Sequence, residues 1–302
     1  MTAGKIMMKN LKQRLLTRLL APTLLLVGLN SQAAPLEVSQ FNPGASSIFA
    51  VSSSLISGEN EVMLIDAQFQ NKDALSLVEL IKASGKRLSQ IYISHSDPDF
   101  YFGLATLRQH FPQVKIVSTP ATRQAIAASM EGKLAYWGPI LKDDAPKALI
   151  LPEAVTSDTL SLEGEEIIIK GFDGPDAKHT YLWVPSAKTI TGGIQVFENM
   201  HVWMADSQTQ EERQVWRDQL KQMQTLNPVK VIPGHYAGEA TFDINAVQAT
   251  LDYITAFENA AATAKDAAEL AQKLRSLYPD YQPDAALEIS TKVIMGEMRW
   301  PM

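Results

Sequence analysis

The chain has no cysteine among its 302 residues. Disulfides, thiolate metal ligands and a cysteine-linked lipid anchor are therefore excluded, and any metal has to be held by imidazole and carboxylate. Histidine is scarce too: His95, His110, His179, His201 and His235 are the whole supply. No apolar run reaches the ~20 residues needed to cross a bilayer. Cations are outnumbered, with 27 Lys and Arg against 33 Asp and Glu. The sequence lacks a G-x-S-x-G elbow, a G-x-G-x-x-G turn and a phosphate-binding loop, which disfavours that type of serine hydrolase and a nucleotide cofactor.

Residues 1–33 read as a secretory signal peptide. Lys5, Lys9, Lys12, Arg14 and Arg18 form a basic start with no acid, Leu19 to Leu29 is a short apolar stretch, and Ser31-Gln32-Ala33 ends in small residues. Cleavage after Ala33 would send the protein to the periplasm or outside the cell, with no membrane attachment afterwards. Without those five cations the remaining chain carries a net charge of about −11. Nucleic acid and anionic membrane surfaces would repel it, so a small-molecule substrate is the expected partner. Its oligomeric state is left open. An apolar content of 46% is enough for a sizeable core.

Along residues 34–302 strand and helix signals alternate. Strands are expected over 47–56 and 61–66, around the turn Gly58-Glu59-Asn60, then up to Ile93 and over 114–118. Helices are expected over 73–84, closed by Gly85, and from Pro120 onward. From Lys133 to Ala154 the pattern weakens, and a loop excursion is expected. Strand signals return over 165–171, 181–184 and 188–191. A helix over 209–226 then leads to the strand 229–232. Residues 244–302 read as mostly helical. Strand-rich and helix-rich stretches thus occur twice, as in a layered α/β domain built of two halves.

The most informative stretch is Ser94-His95-Ser96-Asp97-Pro98-Asp99-Phe100-Tyr101-Phe102-Gly103. It follows the apolar run Gln90-Ile91-Tyr92-Ile93 and precedes a helical pattern, so one imidazole and two carboxylates sit on a strand-to-helix turn. The second notable turn is Val231-Ile232-Pro233-Gly234-His235, also directly after a strand. With the upstream Met63-Leu64-Ile65-Asp66, these turns resemble the T-H-x-H-x-D-H-x-G-G signature, the P-G-H turn and the L-I-D strand of the metallo-β-lactamase superfamily. The resemblance runs in order over roughly residues 38–240. It implies an αββα sandwich over residues 34–243 with a helical C-terminal extension, 244–302, docked on the same domain.

In that family two signature histidines and a later one hold one metal. The signature aspartate, its following histidine and the P-G-H histidine hold a second, and a T-G-D aspartate bridges them. Carried over residue by residue, the resemblance gives His95, Asp97, Asp99 and His235 as metal ligands, with Phe100 where another should stand. Thr191-Gly192-Gly193 puts Gly193 at the bridging position. His179-Thr180 resembles the family's H-T pair but lies only six residues before Pro185, and an ungapped match falls near Gly174 or Pro175. His179 is therefore a candidate fifth ligand.

The resemblance implies a hydrolase with a reduced, one-metal site. Zinc is the expected ion, with iron or manganese compatible, and Asp97 or Asp99 would accept a proton from bound water. The substrate would be a small ester, lactone or amide. The alternative is a metal-free, non-catalytic binding protein on the same fold. Asp97 could also simply cap a helix beginning near Phe100. His110 is expected at a helix end, and His201 is a candidate for the pocket wall. Tyr101, Phe102 and Trp137 are expected to be packing residues.

Overall fold

Two layers of apolar side chains are separated by the strict alternation of the strands. Leu55, Leu64, Ile91, Ile93 and Ile116 face one hydrophobic cluster, and their neighbours Ile56, Met63, Ile65, Tyr92 and Val117 face another. The computed structural model describes residues 34–282 and 284–300, so the expected signal peptide lies outside the described residues. A six-stranded sheet is built in order from β1 (Glu37–Phe41), β2 (Ser53–Ser57), β3 (Glu61–Ile65), β4 (Arg87–Ile93), β5 (Lys115–Ser118) and β6 (Glu153–Ala154). It is antiparallel through β3 and parallel from there on.

The second sheet contains β7 (Thr159–Leu162), β8 (Glu165–Lys170), β9 (Tyr181–Val184), β10 (Thr189–Thr191) and, after β11 (Phe197–Glu198), β12 (Lys230–Val231). Leu160, Leu162, Ile167, Ile169, Leu182 and Val184 of this sheet complete the cluster containing Ile56 and Tyr92. That cluster is the layer between the sheets. On the outer face of the first sheet, the other cluster takes in α1 (Asn71–Ala83), α2 (Pro98–Tyr101), α3 (Leu104–His110) and α4 (Pro120–Leu141). The same cluster includes Trp216 and Leu220 of α5 (Gln210–Thr225), and residues of α6 (Asn245–Ala261), α7 (Ala267–Leu277) and α8 (Asp284–Ile294). The layers run helix, sheet, sheet, helix, as the motifs imply.

Two local expectations need correction. The loop expected over 133–154 starts later: the chain to Leu141 is the second half of α4, a short turn follows over Lys142–Asp144, and only residues 145–152 are irregular before β6. Thr119 caps α4 by accepting from the Thr122 N–H at 3.1 Å, and Pro120 occupies its first turn. Its buried residues, Thr122, Ile126 and Leu141, do not repeat along one stripe, and Pro139 falls in the last turn, so the periodic signal fades while the helix continues. The second correction concerns the signature turn. Its helix begins at Pro98, not near Phe100, and Asp97 stands at the cap position with no capping bond from its side chain.

The loops that follow β3, β4 and β10 meet at one end of the sandwich. Asp66 accepts from both the backbone N–H and the hydroxyl of Ser94, at 2.8 and 2.6 Å, and the Gly193 N–H donates to the Ser94 hydroxyl at 2.7 Å. A short parallel pair, β11 with β13 (His235–Tyr236), sets His235 opposite Phe197 in the same region.

Candidate active-site cleft

The turn after β4 delivers His95, Asp97 and Asp99 to different surroundings. His95 is buried, and its Nδ1 accepts the backbone N–H of Asp97 at 3.2 Å, which leaves the ring proton of the neutral imidazole on Nε2. Burial pushes its pKa down to about 3. The His179 ring lies nearly parallel to it, with centroids 5.1 Å apart. Asp97 is drawn the other way, towards α4: Lys133 Nζ donates to its Oδ1 at 3.0 Å and to the Ser96 carbonyl at 2.8 Å. Burial alone would raise this carboxyl, but the Lys133 ammonium outweighs it and holds it at about 2.

Asp99 and His235 form a separate pair. Both are buried, and His235 Nε2 lies 2.8 Å from Asp99 Oδ2. His235 is stacked on Phe197 at 5.2 Å, and its Nδ1 is buried with no hydrogen-bond partner. Phe100, fully buried, packs against one histidine of each group. Its ring stands edge-on to His95 at 5.1 Å and to His235 at 5.6 Å.

Gly193 is more than a missing carboxylate. Its φ is +80°, and a Cβ there would stand 2.2 Å from the Thr180 carbonyl and 2.3 Å from Gln195 Oε1. The amide of Gln195 therefore fills the space a side chain at 193 would need. Gly234 makes room in the same way, since a Cβ would meet the Gly193 carbonyl at 2.3 Å. The bridging position has been rebuilt around a glycine, and restoring an aspartate would require the backbone to move.

His179 lines a small cleft of about 20 Å³ together with Asp176, Gln195, Trp203, Asp206, Trp216 and Gln219. Its Nδ1 is 2.5 Å from Asp176 Oδ2. Burial would depress this imidazole, but the Asp176 carboxylate outweighs it and the net shift is upward. Opposite, Asp206 accepts indole N–H bonds from Trp203 and Trp300, each at 2.7 Å. Desolvation, then repulsion from Asp97, raises Asp206 to about 6.

The expected ligands are therefore brought into one region but not onto one point. His95, Asp97 and His179 are neighbours, while Asp99 and His235 bond to each other. Among the described residues no group of three or more His, Asp or Glu side chains is placed to hold a metal ion. The donor chemistry agrees, because Lys133 takes Oδ1 of Asp97. As they stand, these residues do not fit the metal that the family resemblance implies.

The remaining histidines are structural. His201 is fully buried, with Nδ1 3.0 Å from the Tyr253 hydroxyl and its ring against Tyr253 and Tyr281; it does not line the cleft. His110 ends α3 in an exposed position. Tyr101 and Phe102 are buried, and Trp137 packs on Phe49 and Phe69. Sequence reading missed Lys133, Asp176, Gln195 and Asp206. Only Asp176 carried a local signal, three residues before His179.

The model of the Metallo-beta-lactamase superfamily matches residues 47–235. Among solved structures, a metallo-beta-lactamase family protein from Thermus thermophilus is similar over 85% of this chain and 91% of its own, at 14% identity and a TM-score of 0.60. A metallo-beta-lactamase from Pontibacter korlensis is similar over 73% of this chain and 99% of its own, at 17% identity and a TM-score of 0.52. At such identities the likeness concerns the fold. No curated protein gives a significant match.

Proposed function

The chain belongs to the metallo-beta-lactamase superfamily, a membership that supports a hydrolase-type function, and from that premise we propose that its cleft binds a small molecule without a metal ion. The observation that carries this reading is Phe100. A phenyl ring packs against both imidazoles that the family resemblance would assign to adjacent metals, at a position where that resemblance expects a ligand, and it cannot ligate either metal. What remains beside it is a cleft with polar groups at fixed positions: the His179–Asp176 pair, Asp206 held by two indoles, and the amides of Gln195 and Gln219. A concave site in which a few polar groups are held at fixed positions is the usual form of a small-ligand site. The location would be the periplasm or the exterior, as the signal expected over residues 1–33 implies.

A one-metal hydrolase of a small ester, lactone or amide is the competing reading. It is favoured by the stacking of His95 on His179 with Asp97 alongside, and it would require Lys133 to release Asp97. Protein purified without chelator separates the two. The metal-free reading expects a transition-metal content far below one equivalent and a melting temperature unmoved by chelator. A near-stoichiometric metal, whose removal lowers the melting temperature and abolishes ester turnover, would establish the hydrolase instead.

A further inference from the structure

We infer that Lys133 replaces a metal ion in this site: its ammonium supplies the positive charge that the carboxylate after His95 requires and so keeps a divalent cation out. The inference rests on the metal-free reading and adds the cause. A carboxylate withdrawn from water needs a counter-charge held close by. Asp97 obtains one at 3.0 Å, and both side chains are largely covered, with 18% of Asp97 and 20% of Lys133 exposed. The second bond of Lys133, to the Ser96 carbonyl, ties the ammonium to the same turn.

The lysine is well supported from behind. Met130, Leu134 and Trp137, its neighbours on α4, pack against the core, so the helix presents Lys133 to the turn from a fixed base. An ammonium in that place opposes a metal twice. It occupies Asp97 Oδ1, and it repels a second cation brought near His95 and His179. Lysine and metal thus compete for one carboxylate, and the occupant decides whether His95, Asp97 and His179 can act as ligands.

Zinc titration calorimetry on the wild-type protein and on Lys133→Met, Lys133→Gln and Lys133→Arg tests this, with folding checked by circular dichroism. Methionine keeps the apolar stem, and glutamine keeps a donor for Asp97 and Ser96. Both neutral variants should bind zinc at least about tenfold more tightly than wild type, and Lys133→Arg, which keeps the charge, should not. Adding His179→Ala to Lys133→Met should abolish the gain. If folded Lys133→Met and Lys133→Gln bind zinc no better than wild type, or if Lys133→Arg gains as much as they do, the lysine inference is overturned while the metal-free reading stands. Tight zinc binding by wild type would overturn the metal-free reading itself.

Discussion

His95 and His235 are delivered to the same end of the sandwich, yet their surroundings differ in kind. His95 stacks on His179 at the edge of an open cleft, among Asp97, Lys133 and Asp176. His235 is enclosed by Phe100 and Phe197, with Asp99 as its one polar contact through Nε2. The first region borders the cleft, whereas the second keeps its carboxylate and imidazole buried against each other. The turn that supplies Asp97 and Asp99 also supplies Phe100, which packs against a histidine of each region. One aromatic side chain therefore stands where the motif would place a ligand.

Removing the Phe100 ring should have the largest effect. Phe100→Ala should cost about 3–5 kcal/mol in denaturant unfolding, because the ring is fully buried in the main core cluster. Truncating each histidine sharpens the contrast. His235→Ala leaves the buried Asp99 carboxylate without its partner and should cost about 2–3 kcal/mol. His179→Ala removes a partly exposed ring whose pair with Asp176 is partly solvated, and should cost about 1 kcal/mol or less. Equal losses would erase the distinction between a sealed and an open region.

A pH dependence follows from the support beneath the turn. Asp66 is raised to about 8, chiefly by burial and despite its bonds from Ser94. Since its folded pKa lies above the unfolded value, its contribution is fully present below about pH 4 and is lost as the pH rises towards 8. The Asp66 contribution should therefore fall across that window, so the stability of Asp66→Asn relative to wild type should rise from pH 4 to 8 in paired denaturant melts. Asparagine suits this position, because residue 66 has a φ of 63°. The smallest effect is expected at His110: on the exposed end of α3, His110→Ala should change stability by about 0.3–1 kcal/mol at most.

Much of the fold was legible because it depends on local periodicity. The runs ending at Ile65, Ile93 and Val184 alternate or stay apolar as strands must, and Thr209 with Glu212 forms the capping box that starts α5. The second half of α4 was illegible because its few buried residues lack a helical stripe. In the site, the loss of two ligands could be read directly at Phe100 and Gly193. Their replacements could not. Lys133 reaches Asp97 across 36 residues, and the amide of Gln195 fills the space beside Gly193 only because a positive φ turns the backbone there. Asp206 is fixed by Trp300, 94 residues later. Contacts at such separation leave no spacing to recognise, and the carboxylate and lysine involved resemble ordinary surface charges.

The most direct test of the metal-free site is the visible spectrum of the wild-type protein titrated with cobalt(II), whose absorption reports coordination by imidazole and carboxylate. A phenyl ring at a ligand position and a carboxylate held by Lys133 predict only the weak bands of the hydrated ion at every addition. Intense bands of four-coordinate cobalt, saturating near one equivalent and lost in Asp97→Asn, would contradict it.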